Sequence, residues 1–252
     1  MNKRIAFITG ATSGIGEATA HLLATNNFKL ILCGRRKERL DLIAKKLSAL
    51  TDVFTLSFDV RDQQDLMDSI KSLPVPWKNI DVLINNAGNA HGLSPIQNGD
   101  VMDWDAMMDI NVKGLLYVSK EVMPGMIERK QGHIINIGSI AGKEVYPNGN
   151  VYCASKFAVD AITQGMRLDL NPYGIKVTGI HPGMVETEFS LVRFKGDEER
   201  AKNVYKGLEP LQPTDIADII LFTLTRPDHV VLADMIVFPK AQASATVVKR
   251  QP

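Results

Sequence analysis

Short apolar runs rich in β-branched residues alternate along the chain with longer segments of helical periodicity. The runs that predict strands are IAFIT (5–9), KLILC (29–33), VFTLSF (53–58), VLIN (82–85), HIINI (133–137), KVTGIH (176–181) and MIVF (235–238). Between them, segments such as KERLDLIAKKLSAL and RDQQDLMDSIKSL space their apolar residues as amphipathic helices do. Strands that alternate with helices predict βαβ units, and therefore an α/β fold with a parallel sheet covered by helices on both faces.

No internal repeat, low-complexity tract or linker interrupts this alternation, so residues 1–252 are predicted to form one domain. The 189–210 segment fits the periodicity poorly, because it is charged and contains Gly196 and Gly207. Long irregular segments in compact domains are often lids over a substrate. A solvated helical insertion is an equally good interpretation.

The composition is that of an ordinary soluble globular protein, with 45% hydrophobic and 23% charged residues. A formal net charge of +1 predicts neither a nucleic-acid-binding surface nor an electrostatic membrane anchor. The two cysteines, Cys33 and Cys153, lack metal-ligand spacing and cannot form a disulfide framework, and Cys153 is expected to be a small, half-buried helix residue. We therefore predict no metal site.

The N-terminal run reaches a glycine after five apolar residues, which is too short for the hydrophobic region of a signal peptide. Nothing in the chain approaches the roughly 18 consecutive apolar residues of a membrane-spanning helix. These features predict a cytoplasmic protein.

A glycine-rich turn, TGATSGIG, follows the first predicted strand and precedes a helix, which is the context of a dinucleotide-binding turn. Its glycines are Gly10, Gly14 and Gly16. Gly10 permits the tight turn, Gly14 allows close approach to a pyrophosphate, and the helix that starts near Ile15 directs its first amides there. Thr12 and Ser13 add hydroxyl groups. The alternative is a turn that serves packing alone.

Two arginines follow the second predicted strand, in the run Gly34-Arg35-Arg36. NAD-binding proteins commonly place a carboxylate near this point to bind the ribose 2′-hydroxyl. Two guanidinium groups suit a 2′-phosphate instead, so NADP is the predicted cofactor. The alternative is that both arginines merely cap the next helix.

A tyrosine and a lysine four residues apart, Tyr152 and Lys156, occur in the run YCASK. Helix positions i and i+4 lie on one face, which places the phenol beside the ammonium group. A phenol becomes a useful acid or base at neutral pH when a neighbouring positive charge stabilises its phenolate. Ser139, which closes the run HIINIGS, is placed to offer its hydroxyl group to the same substrate oxygen. Taken alone, Tyr and Lys at this spacing are also common on solvated helix faces.

These motifs occur in a fixed order along the chain. The set is TGATSGIG, Asp59-Val60, NNAG (85–88), Asn111, Ser139, YCASK and the HPG of 181–183. In this order and spacing the chain resembles the short-chain dehydrogenase/reductase family over essentially its whole length. The runs CGRR, VMPGMIER and TEFSLVRFKGD are similar to those of the NADP-dependent 3-hydroxy acid (serine-type) dehydrogenases within that family. The resemblance implies a seven-stranded, doubly wound Rossmann-type sheet without a separate substrate domain.

The resemblance also implies a role for each catalytic residue. Tyr152 would exchange a proton with the substrate oxygen, and Ser139 would hold that oxygen. Lys156 would lower the Tyr152 pKa and bind the nicotinamide ribose. Asn111 would position a water in a proton relay to Lys156.

The implied cofactor contacts extend from the glycine-rich turn to the end of the sixth strand. Beyond the turn residues and the two arginines, the cofactor-binding residues would be Asp59, Val60, Asn86, Ala87, Gly88, Tyr152, Lys156, Pro182, Gly183, Val185 and Thr187. Asp59 would bind the adenine amino group, and Pro182 and its neighbours would contact the nicotinamide. His181 is interpreted as a structural residue of a loop.

An oxidoreductase acting on a small hydroxy acid, or on the matching semialdehyde, is the predicted function, and a sulfonate analogue fits the same interpretation. Serine and 3-hydroxypropionate are examples of such hydroxy acids. We expect Arg193, or failing it Lys195, to meet the acidic group of the substrate, although both are equally well interpreted as solvated charges. The alternatives are a 3-oxoacyl-carrier-protein reductase, a general carbonyl reductase, or a dinucleotide-sensing protein without catalysis.

A homo-oligomer, dimeric or tetrameric, is the remaining expectation. Segments 100–130 and 150–172 carry apolar residues on more than one face, and a helix that is apolar all round is buried. The residues that suggest this are Val101, Met107, Leu115, Met123, Phe157 and Ile162. A second subunit related by two-fold symmetry would cover the face turned away from the sheet.

Overall fold

The protein is described by a computed structural model over residues 3–251. Residues 1, 2 and 252 of the predicted domain, including the first residues of the N-terminal run, lie outside the described residues. The strands are β1 (Arg4–Thr9), β2 (Phe28–Cys33), β3 (Val53–Leu56), β4 (Val82–Asn85), β5 (His133–Ile137), β6 (Lys176–Pro182) and β7 (Asp234–Val237). All neighbouring strands pair in parallel, in the order β3-β2-β1-β4-β5-β6-β7. The predicted seven-stranded parallel sheet is confirmed.

Helices connect the strands and cover both faces of the sheet. They are α1 (Gly14–Thr25), α2 (Lys37–Leu47), α3 (Gln63–Lys71), α4 (Val101–Met108), α5 (Leu115–Arg129), α6 (Asn150–Leu170), α7 (Phe189–Arg193), α8 (Glu198–Asn203) and α9 (Pro213–Leu224). A π-helical stretch, Asp109–Gly114, joins α4 to α5, and a short 3₁₀ helix, Ile140–Gly142, follows β5. No helix within residues 3–251 is long and apolar enough to cross a bilayer.

The apolar core lies in two layers, one on each face of the sheet. Successive strand residues point to opposite faces, so Phe7 joins one layer and Ile8 the other. The Phe7 layer is packed by α3, α5 and α6, and the Ile8 layer by α1, α2 and α9. Because both faces are covered, the strands read as continuous apolar runs rather than alternating ones.

The direction of strand succession reverses between β1 and β4, which are hydrogen-bonded neighbours. From β1 the chain adds strands on one side as far as β3, and from β4 on the other side as far as β7. In open α/β sheets such a reversal opens a crevice at the carboxyl ends of the strands, where ligands bind. The candidate site lies there.

The 189–210 segment contains two short helices, α7 and α8, separated by a turn. Lys195 and Gly196 both have positive φ in that turn, at 53° and 94°. Asp197 is the N-cap of α8, and its carboxylate accepts a hydrogen bond from the amide of Arg200. The segment folds back on itself through Tyr205, whose hydroxyl lies 3.0 Å from Ser190 Oγ and donates to the carbonyl oxygen of Val185.

Part of the apolar pattern that suggested an oligomer is explained within the chain. Met107 and Leu115 are buried in the described structure, against the expectation that they lie on an uncovered face. The reason is that α6 and the π-helical stretch also pack on this region, so the sheet is not its sole cover. Val101 and Phe157 remain 58% and 41% exposed.

Candidate active site

A cavity of about 510 Å³ opens at the carboxyl ends of the central strands. Every predicted site residue lines it except Gly16, Asn111 and Lys195, the alternative to Arg193. Gly16 lies behind the glycine-rich turn, where a Cβ would come within 2.3 Å of the Gly10 carbonyl oxygen. The structure therefore brings together residues that lie as far apart in the sequence as Gly10 and Arg193.

The glycine-rich turn has the geometry of an anion cradle. Gly10 and Gly14 have φ of 66° and 55°, a region that side-chain-bearing residues rarely adopt. A Cβ on Gly14 would lie 3.1 Å from the Thr187 side chain. Ser13 occupies the N-cap of α1 but makes no side-chain capping bond, so it leaves first-turn amides available to a bound anion. These features fit the pyrophosphate of a dinucleotide.

The two arginines lie at one end of the cavity. The Arg36 guanidinium donates to Thr12 Oγ1 at 2.9 Å and to Ser13 Oγ at 2.8 Å. Arg35 Nη1 lies 3.4 Å from Asp59 Oδ2. Burial raises the pKa of Asp59, but hydrogen bonds from Arg61 and the charge of Arg35 outweigh it, so its pKa is lowered and the carboxylate is kept ionised.

The phenol and the ammonium group of the YCASK run both lie on the buried face of α6. Burial, and then Tyr146, raise the pKa of Tyr152 well above its ordinary value, while Ser139 and Arg193 lower it. Burial lowers the pKa of Lys156 to about 8. Lys156 Nζ donates to the Ile137 carbonyl oxygen at 3.0 Å, and Lys156 is not among the groups that shift the Tyr152 pKa here.

The segment that carries Ser139 is packed against α6. Ser139 Oγ accepts a hydrogen bond from the amide of Ala141, which caps the 3₁₀ helix. A Cβ on Gly142 would lie 2.5 Å from the carbonyl oxygen of Lys156. This close backbone approach fixes Ser139 beside Tyr152 and Lys156.

Asn111 lies in the π-helical stretch and uses its whole amide group in protein contacts. Its Nδ2 donates to the Asn89 carbonyl oxygen at 2.9 Å and to Ser155 Oγ at 3.0 Å. Its Oδ1 accepts from the Asn89 amide at 2.9 Å. The side chain thus ties the loop after β4 to α6. The relay water implied for Asn111 stays a prediction.

Arg193, at the end of α7, lies over the Tyr152 ring with 5.2 Å between the guanidinium carbon and the ring centre. Its Nη2 donates to the Tyr146 hydroxyl at 2.6 Å and its Nε to the Gly92 carbonyl oxygen at 3.3 Å. Lys195 instead pairs with Asp103 and Asp100, at 3.0 and 3.5 Å, and does not line the cavity. Of the two cations expected at the acidic group, Arg193 alone lines the cavity.

Several residues at the cavity carry no sequence signal. Tyr146 and Phe189 flank Tyr152, and the Tyr152 and Phe189 ring centres are 5.5 Å apart. Glu188, which also lines the cavity, pairs with Arg36. Gln242, near the C-terminus, accepts from the Met184 amide at 2.8 Å. Each belongs to a segment whose place at the cavity depends on tertiary contacts rather than on a motif.

His181 ends the predicted strand 176–181, and its interpretation as a loop residue is wrong. It is the sixth residue of β6, fully buried, with Nε2 2.7 Å from Asp234 Oδ1. Lys143 Nζ bridges Asp160 and Asp234 beside it, at 2.9 and 2.8 Å. Burial, and then the charge of Lys143, lower the pKa of His181, so the ring is neutral.

Comparisons with known proteins agree with this geometry. A family model described as short chain dehydrogenase matches residues 4–197. The NADP-dependent 3-hydroxy acid dehydrogenase YdfG of Salmonella typhi is 44% identical over 242 residues, 96% of this chain and 97% of that protein. Sulfoacetaldehyde reductase 2 of Chromohalobacter salexigens is 44% identical over 98% of each chain.

Among solved structures, the closed form of serine dehydrogenase complexed with NADP⁺ superimposes with a TM-score of 0.93 and 41% sequence identity. The match covers 98% of this chain and 100% of that one. Sheet order, glycine-rich turn and Ser-Tyr-Lys arrangement thus occur together with a family match over most of the chain. The chain belongs to the short-chain dehydrogenase family.

Proposed function

We propose that this protein is an NADP-dependent oxidoreductase that transfers a hydride between NADP(H) and a small 3-hydroxy acid, such as serine or 3-hydroxypropionate, or the matching semialdehyde. The observation that carries the proposal is the Arg193 guanidinium above the Tyr152 ring, inside the cavity. The predicted enzyme class and cofactor are those that the relatives' names give.

NADP, when bound, supplies the hydride acceptor or donor. Arg35 and Arg36 would hold its 2′-phosphate, and the turn from Gly10 to Gly16 its pyrophosphate. Asp59, Val60 and residues 86–88 lie where an adenosine would be held. Pro182, Gly183, Val185, Thr187 and Lys156 also line the cavity. The first four would contact the nicotinamide, and Lys156 would bind its ribose.

The raised pKa of Tyr152 keeps its phenol protonated at neutral pH. In carbonyl reduction that phenol donates its proton to the substrate oxygen, while the Ser139 hydroxyl holds the same oxygen. In alcohol oxidation Tyr152 must act as a base, which requires a lower pKa. The positive charge of Arg193, which lies over the ring and lowers the Tyr152 pKa, serves this direction. The same role for Lys156 stays a prediction.

A carboxylate that enters a closed cavity needs a charged or multi-donor partner. Arg193 supplies a guanidinium, oriented by the Tyr146 hydroxyl and the Gly92 carbonyl oxygen. A sulfonate in the same place would meet the same group. A 3-oxoacyl thioester or an uncharged ketone, the substrates of the alternative reductases, would leave this guanidinium without an anionic partner.

The test is a substrate panel of β-hydroxy acids, β-hydroxy sulfonates, neutral alcohols and β-ketoacyl thioesters, each with NADP and NAD. Activity with an acid and NADP is expected. Arg193→Ala should raise KM for the acid at least tenfold, since charge-assisted hydrogen bonds contribute about 1.5–3 kcal/mol, and should change KM for a neutral alcohol little.

Lys195→Ala is the matched control, because Lys195 is a cation of the same segment that faces Asp103 and Asp100. It should leave both KM values unchanged. Equal losses for acidic and neutral substrates in Arg193→Ala would remove Arg193 from acid recognition. NADP binding without turnover of any substrate would favour the dinucleotide-sensing alternative.

The remaining expectations belong to the same proposal. Residues 1–252 act as a single domain, and the 189–210 segment is a lid that closes on the substrate. The enzyme is a cytoplasmic homo-oligomer, a dimer or a tetramer. Exposed apolar residues on α5 and α6 support an intersubunit face, among them Leu116, Phe157 and Leu168.

A further inference from the structure

The short helix α7 is held at both ends by charged side chains that belong to different parts of the cavity. At its C-terminal end, Arg193 contacts the catalytic side through Tyr146 and the Tyr152 ring. Glu188, immediately before its first residue, reaches the opposite side of the cavity. There its Oε2 lies 2.8 Å from Arg36 Nη1 and its Oε1 lies 2.7 Å from Arg39 Nη1.

The Glu188 contacts form a connected set rather than an isolated surface pair. Each carboxylate oxygen meets a separate guanidinium group, and the same Arg36 also donates to Thr12 and Ser13 in the glycine-rich turn. The hydrogen bond from Arg36, against a smaller effect of burial, lowers the pKa of Glu188, so the carboxylate stays charged throughout the neutral range. The set joins α2, the turn before α1 and the start of α7.

We propose that Glu188 and Arg39 are positioning residues. Their ion pair, extended by Arg36, anchors the N-terminal end of α7 to the cofactor side of the cavity and thereby sets the place of Arg193 above Tyr152. Because α7 is five residues long, release of one end leaves one turn of helix to hold the other. Arg36, the residue expected to bind the 2′-phosphate, is part of this anchor.

The anchor makes a prediction that separates it from a general electrostatic effect. Arg39→Gln removes a positive charge and Glu188→Gln removes a negative one. A field acting on a phosphate or on an acidic substrate would change in opposite directions in the two variants. An anchor is weakened by either, because Arg39→Gln removes one of the two ion pairs of Glu188 and Glu188→Gln removes both. Both variants should therefore change α7 in the same direction.

The experiment measures hydrogen exchange of the backbone amides of residues 189–205 in the full-length protein saturated with NADP⁺. Exposed ion pairs contribute up to about 1 kcal/mol, which corresponds to about fivefold. Exchange in α7 should therefore rise up to about fivefold in both variants, and more in Glu188→Gln, which loses the pairs to both arginines. The double variant should exceed Glu188→Gln little, because Arg39 acts through Glu188. High salt should reduce the difference from the unmodified protein.

Two control variants test whether the change in exchange depends on the Glu188–Arg39 ion pair. Glu186→Gln changes a carboxylate two residues upstream that contacts Gln212 rather than the arginines, and it should leave exchange in α7 unchanged. Arg39→Lys keeps the charge and should restore most of the protection. Unchanged exchange in Arg39→Gln, or opposite changes in the two Gln variants, would overturn the anchor.

The kinetic measurement rests on the proposed function, because it uses a 3-hydroxy acid as substrate. Failure of the proposed function can be distinguished from failure of the anchor. With a 3-hydroxy acid, both Gln variants should raise KM while kcat changes less, because Tyr152, Lys156 and Ser139 are untouched. Faster exchange with unchanged KM would uphold the anchor and count against Arg193 as the acid-binding residue. Unchanged exchange with normal activity would uphold the proposed function and overturn the anchor.

Discussion

The Lys156 side chain is buried, and the loss of solvation of its ammonium group lowers its pKa from 10.5 to about 8. The unfolded chain therefore binds more protons than the folded protein between these two values, so the free energy of unfolding rises with pH across that window. Lys156→Met removes the titrating group. Between about pH 7.5 and about pH 9.5 the unmodified protein should gain roughly 2 kcal/mol relative to this variant.

Urea unfolding of the cofactor-free protein and of Lys156→Met at both pH values measures this gain. Tyr152 and Cys33 also have raised pKa values, and Cys33 begins to contribute near pH 9, within this window. The comparison with the variant cancels both contributions, because both proteins contain these residues. A difference that does not change with pH would mean that Lys156 keeps an ordinary pKa when folded.

Tyr152→Phe keeps the ring and removes the transferable proton. Turnover should fall by ~10²–10⁴-fold, the usual contribution of a positioned acid or base, whereas NADPH binding should survive. Steady-state kinetics and NADPH fluorescence titration measure the two effects. Tyr173→Phe, in an exposed 3₁₀ helix (Asn171–Tyr173) outside the cavity, is the matched control and should behave as the unmodified protein. Near-normal turnover in Tyr152→Phe would contradict the assigned role.

Among individual site residues, the sequence predicts those that belong to local motifs. The glycine-rich turn, Arg35, Arg36 and the Tyr152–Lys156 pair lie within a few residues of a strand end or on one helix face, so their placement follows from the element that carries them. Glu188 and Gln242 do not. Their partners are Arg36 and Met184, 152 and 58 residues away, and no periodicity encodes those contacts.

Two glycines at helix α6 differ in how closely their surroundings are packed. Gly142 lies against its backbone, and a Cβ there would come within 2.5 Å of the Lys156 carbonyl oxygen. Gly165 lies within α6, and a Cβ there would meet nothing within 4 Å. Gly142→Ala should lower the free energy of unfolding by roughly 1–3 kcal/mol, and Gly165→Ala should raise it by about 0.5–1 kcal/mol.

Urea or thermal unfolding of the two variants measures these opposite changes. Gly142→Ala should also reduce turnover, because the Ser139 segment must move away from α6. Stabilisation by Gly142→Ala, or a loss of stability in Gly165→Ala, would show that the contacts around α6 are not as described.

Strand positions followed from the apolar runs to within two residues at each end, since the central strands are buried on both faces and are mostly apolar. The 189–210 segment was less predictable. Its helices have five and six residues, too few to show a helical period, and contacts such as Tyr205 with Val185 stabilise them instead. The π-helical stretch before α5 gave no sequence signal either.

In the whole molecule, apolar side chains remain exposed on α5 and α6, with Leu116 at 40% and Leu168 at 77%. If this face joins two subunits, light scattering at micromolar concentration should give at least twice the 27.8 kDa of the chain. Leu116→Glu should shift the mass toward one chain. Leu50→Glu, at a similarly exposed position after α2, should not. A monomer in the unmodified protein would contradict the proposed oligomer.

The order of the sheet has a consequence for how the protein acquires its activity during folding. Every strand pairs in parallel, so each pairing closes a long stretch of chain, and β1 and β4 meet across more than seventy residues. Such non-local contacts make folding slow. The cavity draws on residues from Gly10 to Ala245, so a nascent or truncated chain that lacks the last strands has no complete site. Recovery of cofactor binding after denaturation should therefore coincide with the slowest refolding phase rather than with early helix formation.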